Sequence, residues 1–268
     1  MCAPTTEVER GRGAPRGYRR PITAVLFDKD GTLFEYRATW IPINQAAAEA
    51  VSDADPTLTR KLLRSAGYDP DNDRLKPGGL LAAGNTGEIA QQWHNVIAAE
   101  AAQEGAVPSV EEITRRVERV YREQGPSRSV PVGDLAAICR TLSCDGYALG
   151  LATSDSEQAA EKTLARFGIR RRFTVVLGYD SGYGPKPEPG MVEAFCAATG
   201  VPASEVAVVG DTPHDIEMAR RSGAGLAVGV LTGASGRTDL EAEADHVIDS
   251  IEALPELLRA TRRADKRE

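Results

Sequence analysis

The sequence predicts an α/β protein: a doubly wound parallel sheet, interrupted directly after its first strand by an inserted α-helical cap domain. Three observations carry this reading. Six short, nearly all-apolar segments rich in β-branched residues recur along the chain, as expected of strands covered on both faces. Amphipathic stretches of helical period lie between them, so the strands run parallel with crossover helices. Residues 35–125 break the rhythm, offering helices and no convincing strand.

Taken in order, residues 1–21 hold five arginines against Glu7 and Glu9 and read as a disordered N-terminal tail. The first strand is 22–27. In the insert, helices are expected at 44–51, 58–65, 88–104 and 110–122. Ser109 and Glu112 are spaced as a capping box at the start of the last of these. Residues 68–79, rich in Pro, Gly and Asp, read as a loop. Hinges are expected near 34–36 and 125–131. The remaining strands are 147–152, 173–177, 206–209, 226–230 and 246–248. Their helices are 135–142, 157–167, 191–198, 215–221 and 251–259. The α/β core is thus 22–34 plus 126–260, the cap 35–125, and 261–268 a C-terminal tail.

Composition excludes several classes. The 268 residues contain only four Cys and three His, with no Cys-x-x-Cys pair; neither a disulfide scaffold nor a structural zinc site is available. Cys139, Cys144 and Cys196 fall in helical patterns and read as small buried hydrophobes. Net charge is −7. Both ends are basic, so the body is more acidic still, which argues against a nucleic-acid partner. An anionic ligand would need a local cation. No run of 18 apolar residues suggests a membrane span. The segment after Arg19-Arg20 is too short for an export signal, so the expected location is the cytoplasm.

Ligands of a parallel sheet bind beyond the carboxyl ends of its strands. The first strand is followed by Asp28-Lys29-Asp30-Gly31-Thr32, and the second by Thr153-Ser154-Asp155. The third leads to Gly184-Pro185-Lys186-Pro187, and the fourth to Gly210-Asp211-Thr212-Pro213-His214-Asp215. Carboxylates, a hydroxyl and an ammonium therefore converge on one edge. Oxygen ligands from separate segments suit Mg²⁺, which leaves positions for water and a phosphate oxygen. Lys and hydroxyl donors suit the remaining phosphate oxygens. An EF-hand reading of Asp-x-Asp-Gly fails. The glycine is the fourth loop residue rather than the sixth, and Thr39 stands where the bidentate Glu belongs.

In order and placement, these four segments resemble the motifs of the haloacid dehalogenase-like (HAD) hydrolase superfamily. The insert and the stretch from Val209 to Ala219 resemble its phosphoglycolate-phosphatase-like branch. The resemblance implies a Rossmann-like core and a phosphomonoester hydrolase using Mg²⁺. Asp28 would be the nucleophile, forming an aspartyl-phosphate. Asp30 would protonate the leaving group and then activate water, a role its presence favours over dehalogenase, phosphonatase and P-type ATPase chemistry. Asp28, Asp211 and the Asp30 backbone carbonyl would hold the metal. Thr153, Ser154, Lys186 and Gly31 would contact phosphate, with Asp215 and Thr32 supporting them. Each residue also has a structural reading: turn-capping Asp28, a Ser154–Glu157 capping box, solvated Lys186, helix-dipole Asp215. Trp40, Trp93 and His94 could meet the leaving group or simply pack; Asn85 lies in a turn or a cap-lining loop. The expected partner is a small phosphorylated metabolite, bound by a monomer or homodimer. Alternatives are a phosphomutase of the β-phosphoglucomutase type and a non-catalytic phospholigand-binding or regulatory protein.

Overall fold

A computed structural model describes residues 21–76, 78–101 and 107–265. The expected N-terminal tail, apart from Pro21, and the final residues 266–268 lie outside the described residues. Strand β1 (Ala24–Phe27) leads into helices α1 (Tyr36–Val51) and α2 (Pro56–Ser65). A hairpin of β2 (Tyr68–Asp69) and β3 (Arg74–Leu75) follows, then α3 (Leu80–Ala83), α4 (Thr86–Glu100) and α5 (Val110–Arg128). The chain continues through α6 (Leu135–Cys144), β4 (Ala148–Ala152), α7 (Glu157–Arg166), β5 (Phe173–Leu177) and α8 (Gly190–Thr199). It ends with β6 (Val206–Gly210), α9 (Pro213–Ser222), β7 (Leu226–Val230), α10 (Arg237–Leu240), β8 (His246–Ile248) and α11 (Leu254–Asp265).

Six strands form one parallel sheet in the order β5-β4-β1-β6-β7-β8. The order reverses around β1, which pairs with β4 on one side and β6 on the other. The ends of these three strands therefore meet at the switch point, where a crevice opens. Alternation along β1 divides the core. Val25 and Phe27 pack under α6, α7 and α11, while Ala24 and Leu26 pack under α8 and α9. Gly150 in β4 is required by that second layer: a Cβ there would lie 2.6 Å from the Phe195 ring.

Helices α1, α2, α4 and α5 build a separate apolar cluster around Ile43, Leu62, Trp93 and Ile113. Trp93 is fully buried and donates from Nε1 to the Leu62 carbonyl at 2.9 Å. The two chain crossings between this cluster and the sheet run side by side. Glu35 N–H donates to the Val130 carbonyl and Val132 N–H to the Leu33 carbonyl.

Several local expectations are corrected. Helix α1 begins at Tyr36, well before residue 44, and runs through Pro42. An interior proline costs about 3 kcal/mol, and here tertiary anchoring of Tyr36 and Trp40 overrides it. Helix α5 likewise passes through Gly125 and Pro126 to Arg128, so the expected hinge at 125–131 shrinks to its last three residues. Arg166 donates to the Pro126 carbonyl at 2.7 Å, one of the last-turn carbonyls of α5 that have no partner further along the helix. Helix α11 extends to Asp265, into the expected C-terminal tail. The expected loop at 68–79 holds the β2–β3 hairpin. Ser109 caps α5 by accepting from Glu112 N–H, but the Glu112 carboxylate turns to Arg116 instead of closing the box. Cys139 is buried as expected, Cys196 partly so, and Cys144 is exposed.

Candidate active site

Asp28 follows β1 directly, and its N–H continues the ladder to the Val209 carbonyl at 2.8 Å. The side chain is thus fixed at the switch point, and the residue is 8% exposed. Lys186 arrives from the loop before α8. Its ammonium lies 2.5 Å from Asp28 Oδ1 and 2.6 Å from Asp215 Oδ1. Asp215 stands in the first turn of α9 and closes a capping box with Thr212, so its Oδ2 accepts from both the N–H and the hydroxyl of Thr212. Gly210 permits this approach, because a Cβ there would lie 2.2 Å from Asp215 Cβ.

Asp211 follows β6. Two glycines enclose its carboxylate: a Cβ on Gly31 would lie 2.4 Å from Asp211 Oδ2, and one on Gly233 would lie 1.8 Å from it. Gly31 also has φ +88°, a left-handed conformation that glycine adopts without strain. Asp211 Oδ2 accepts from Ala234 N–H at 3.0 Å, whereas Oδ1 is buried with no partner among the described residues. Oxygens of Asp28, Asp211 and Asp215 all lie within 4.8 Å of one another.

Three carboxylates around one ammonium shape the electrostatics. Burial, opposed by Lys186 and reinforced by Asp215, pushes the Asp28 carboxyl up to about 7. Burial and the neighbouring Asp28 and Asp215 hold Asp211 well above the usual carboxylate range. Burial alone would lower Lys186, but Asp215 and Asp28 outweigh it and raise the ammonium. The cluster thus holds more carboxyl groups than its one ammonium can balance, which is why they retain protons, and one Asp211 oxygen is orphaned. A hard divalent cation fits that donor set. Asp28 and Asp211 are the better candidate ligands, since Asp215 already commits both oxygens.

The remaining sequence-derived candidates are placed as follows. Asp30 is close by, with its Oδ1 buried and without a hydrogen-bond partner. Thr32 is fully buried and its hydroxyl is also unpartnered. Thr153 is buried beyond β4, accepting from Asp155 N–H at 3.1 Å. Ser154 is exposed in the bend that follows. The expected Ser154–Glu157 capping box does not form. Helix α7 starts at Glu157 with Ser156 as its cap, and Glu157 N–H bonds Asp180. Of the four insert residues left open, Trp40 reaches the site. Trp93 is core, Asn85 caps α4 through a box with Glu88, and His94 Nδ1 pairs with the Pro108 carbonyl.

Three contributors escaped the sequence. Lys29, 1% exposed, lies 3.0 Å from Asp30 Oδ2 and 2.7 Å from Asp155 Oδ2. Its ammonium sits 5.9 Å from the centroid of the Trp40 ring. Tyr36 is buried and donates its hydroxyl to the Leu81 carbonyl, bringing α1 against α3. Finally, the segment after β7 closes over the first motif: the Thr232 hydroxyl donates to the Gly31 carbonyl at 2.6 Å, and Gly233 and Ala234 meet Asp211.

Comparison with known proteins agrees with this architecture. A family model described as haloacid dehalogenase-like hydrolase matches residues 22–223. The phosphoglycolate phosphatase of Chromobacterium violaceum is 30% identical over 243 residues, covering 89% of this chain and 97% of that protein. A protein of Dickeya dadantii named probable phosphatase IndB is 35% identical over 138 residues; the match spans 50% of this chain and 59% of that protein's length. Among solved structures, a predicted phosphoglycolate phosphatase from Haemophilus somnus superposes with a TM-score of 0.67 at 19% identity, covering 89% of this chain and 99% of that one.

Proposed function

The chain belongs to the haloacid dehalogenase-like hydrolase family, and from that premise we propose that it is a Mg²⁺-dependent phosphatase of a small phosphomonoester, acting through an aspartyl-phosphate. The observation that carries this reading is the pairing of a strand-end carboxylate, Asp28, with a buried ammonium, Lys186, beside the unpartnered oxygen of Asp211. Phosphatase-named relatives spanning most of the chain support the reaction class.

Asp28 attacks phosphorus while Lys186 holds the carboxylate in line and offsets phosphate charge. Asp28 and Asp211 would hold the divalent ion, which when bound supplies charge neutralisation between the two anions. The Thr153 hydroxyl and the backbone around Gly31 hold the equatorial phosphate oxygens. Asp30 donates a proton to the departing alkoxide, then takes one from the water that releases phosphate from Asp28. The helices of residues 35–125, hinged at the paired crossings, cover the site and exclude bulk water. The organic part of the substrate lies under these helices, and phosphoglycolate is the first candidate because relatives carry that name.

The test is inorganic phosphate release from phosphoglycolate, glycerol phosphate and hexose 6-phosphates, with Mg²⁺ and with excess chelator. Metal-dependent release is expected from at least one ester. Isomerised sugar phosphate without free phosphate would instead mean a mutase. No turnover of any kind would mean a binding protein.

A further inference from the structure

The site contains two buried lysines, and only one belongs to the phosphate. Lys186 serves Asp28 and Asp215. Lys29 points to the opposite side, where its ammonium bridges Asp30 Oδ2 at 3.0 Å and Asp155 Oδ2 at 2.7 Å. Asp155 is itself anchored. Its Oδ1 accepts from Ser156 N–H at 2.7 Å, its N–H bonds the Thr153 hydroxyl, and its carbonyl accepts from Tyr179 N–H. The bridge therefore ties the turn after β1 to the turn after β4. It occupies one oxygen of Asp30 and leaves Oδ1 buried with no other hydrogen bond of good geometry among the described residues, its polar neighbour being the indole nitrogen of Trp40.

We propose that Lys29 is a positioning residue for Asp30: by clamping Oδ2 against Asp155, it makes Oδ1 the oxygen that passes the proton to the leaving group. The inference rests on the phosphatase reading and deepens it. As the Asp28 oxygen bonds phosphorus, the bond from phosphorus to the ester oxygen breaks, and the Asp30 Oδ1 proton moves to that oxygen. The carboxylate so formed stays beside the Lys29 ammonium. A carboxyl free to rotate would present either oxygen, or neither, at the moment of cleavage.

The consequence is a dependence on the leaving group. An alkoxide must be protonated as it departs; p-nitrophenolate need not be. Lys29→Met is expected to lower kcat/KM for the best alkyl monoester of the panel above by about 100-fold or more, the scale of a general acid. For p-nitrophenyl phosphate the loss is expected to stay below about 10-fold. Asp155→Asn, which keeps the ammonium but weakens its anchor, should show the same selectivity at smaller size, and it decides the matter if Lys29→Met does not fold. A purely structural role would lower both esters by one factor, and equal losses in the folded variants overturn the proposal. A wild-type protein that releases phosphate from neither ester overturns the phosphatase reading instead.

Discussion

Gly233→Ala tests the enclosure of Asp211 without substituting any charged residue. A Cβ at this position would stand 1.8 Å from Asp211 Oδ2, 2.2 Å from Cγ and 2.4 Å from Cβ, far inside the roughly 3.5 Å at which carbon atoms attract. Gly233 is not in the left-handed region, so backbone strain adds nothing. Reduced freedom of the unfolded chain would by itself stabilise the alanine variant by about 0.4–1 kcal/mol. Forcing a methyl group into a packed site costs about 1–3 kcal/mol. The expected net is a destabilisation of about 1–2 kcal/mol, which urea unfolding resolves. Either the segment after β7 or the carboxylate must move, so the 3.0 Å bond from Ala234 N–H to Asp211 is lost as well. Mg²⁺ affinity, measured by calorimetric titration, should fall by about tenfold, or about 1.4 kcal/mol. A double-mutant cycle isolates the contact. Asp211→Gly removes all three clashing atoms, so in that background Gly233→Ala should cost at least about 1 kcal/mol less. Equal cost in the two backgrounds, or a single variant indistinguishable from wild type in stability and metal affinity, would refute the reasoning.

Asp28→Asn should abolish phosphate release while circular dichroism and the unfolding midpoint show an intact fold; a variant keeping most of its turnover would exclude the covalent intermediate. Trp93→Ala empties the centre of the insert's own cluster and should cost about 3–5 kcal/mol by urea unfolding, without changing Mg²⁺ affinity in the folded protein. Stability without metal should rise as pH falls. Asp28, pushed by burial from the ordinary 3.8 to about 7 in the folded protein, and Asp211, shifted the same way, bind protons that the unfolded chain has already lost. Between about pH 4 and pH 7 the folded state therefore holds more protons, and stability falls with rising pH by up to about 4 kcal/mol for Asp28. Unfolding in chelator at pH 5.5, 7 and 8 measures this. Mg²⁺ should stabilise most at the alkaline end, because binding displaces those protons, and the pH dependence without metal should be shallower in Asp28→Asn.

The site was legible where the chain states its geometry directly. A parallel sheet brings the residues after its strands together, so Asp28, Thr153, Lys186 and Asp211 could be gathered without coordinates; in the structure Asp28, Lys186 and Asp211 cluster, and Thr153 follows the neighbouring strand β4. Segment 226–230 matches its strand to the residue because a strand buried on both faces is uniformly apolar; 173–177 matches as well, although it is an edge strand with Thr174 exposed. The same question put to the end of β7 would have found Thr232, Gly233 and Ala234, whose glycine and backbone carry no chemical signature of their own. Lys29 was hidden differently. As the middle residue of Asp28-Lys29-Asp30 it looks like a spacer, and strand alternation turns it away from the Asp28 side chain toward an Asp155 that lies 126 residues on. Tyr36 escapes the pattern, and Trp40 stays open between packing and the site, because Pro42 argues for a helix starting after it. The proline penalty is local and the anchoring contacts are not, so propensity alone put the start of α1 too late. What sequence pattern loses in each case is a long-range contact that decides a local choice. In this protein those contacts concentrate where the insert's first helix meets the acid side of the crevice, beside Lys29 and Asp30.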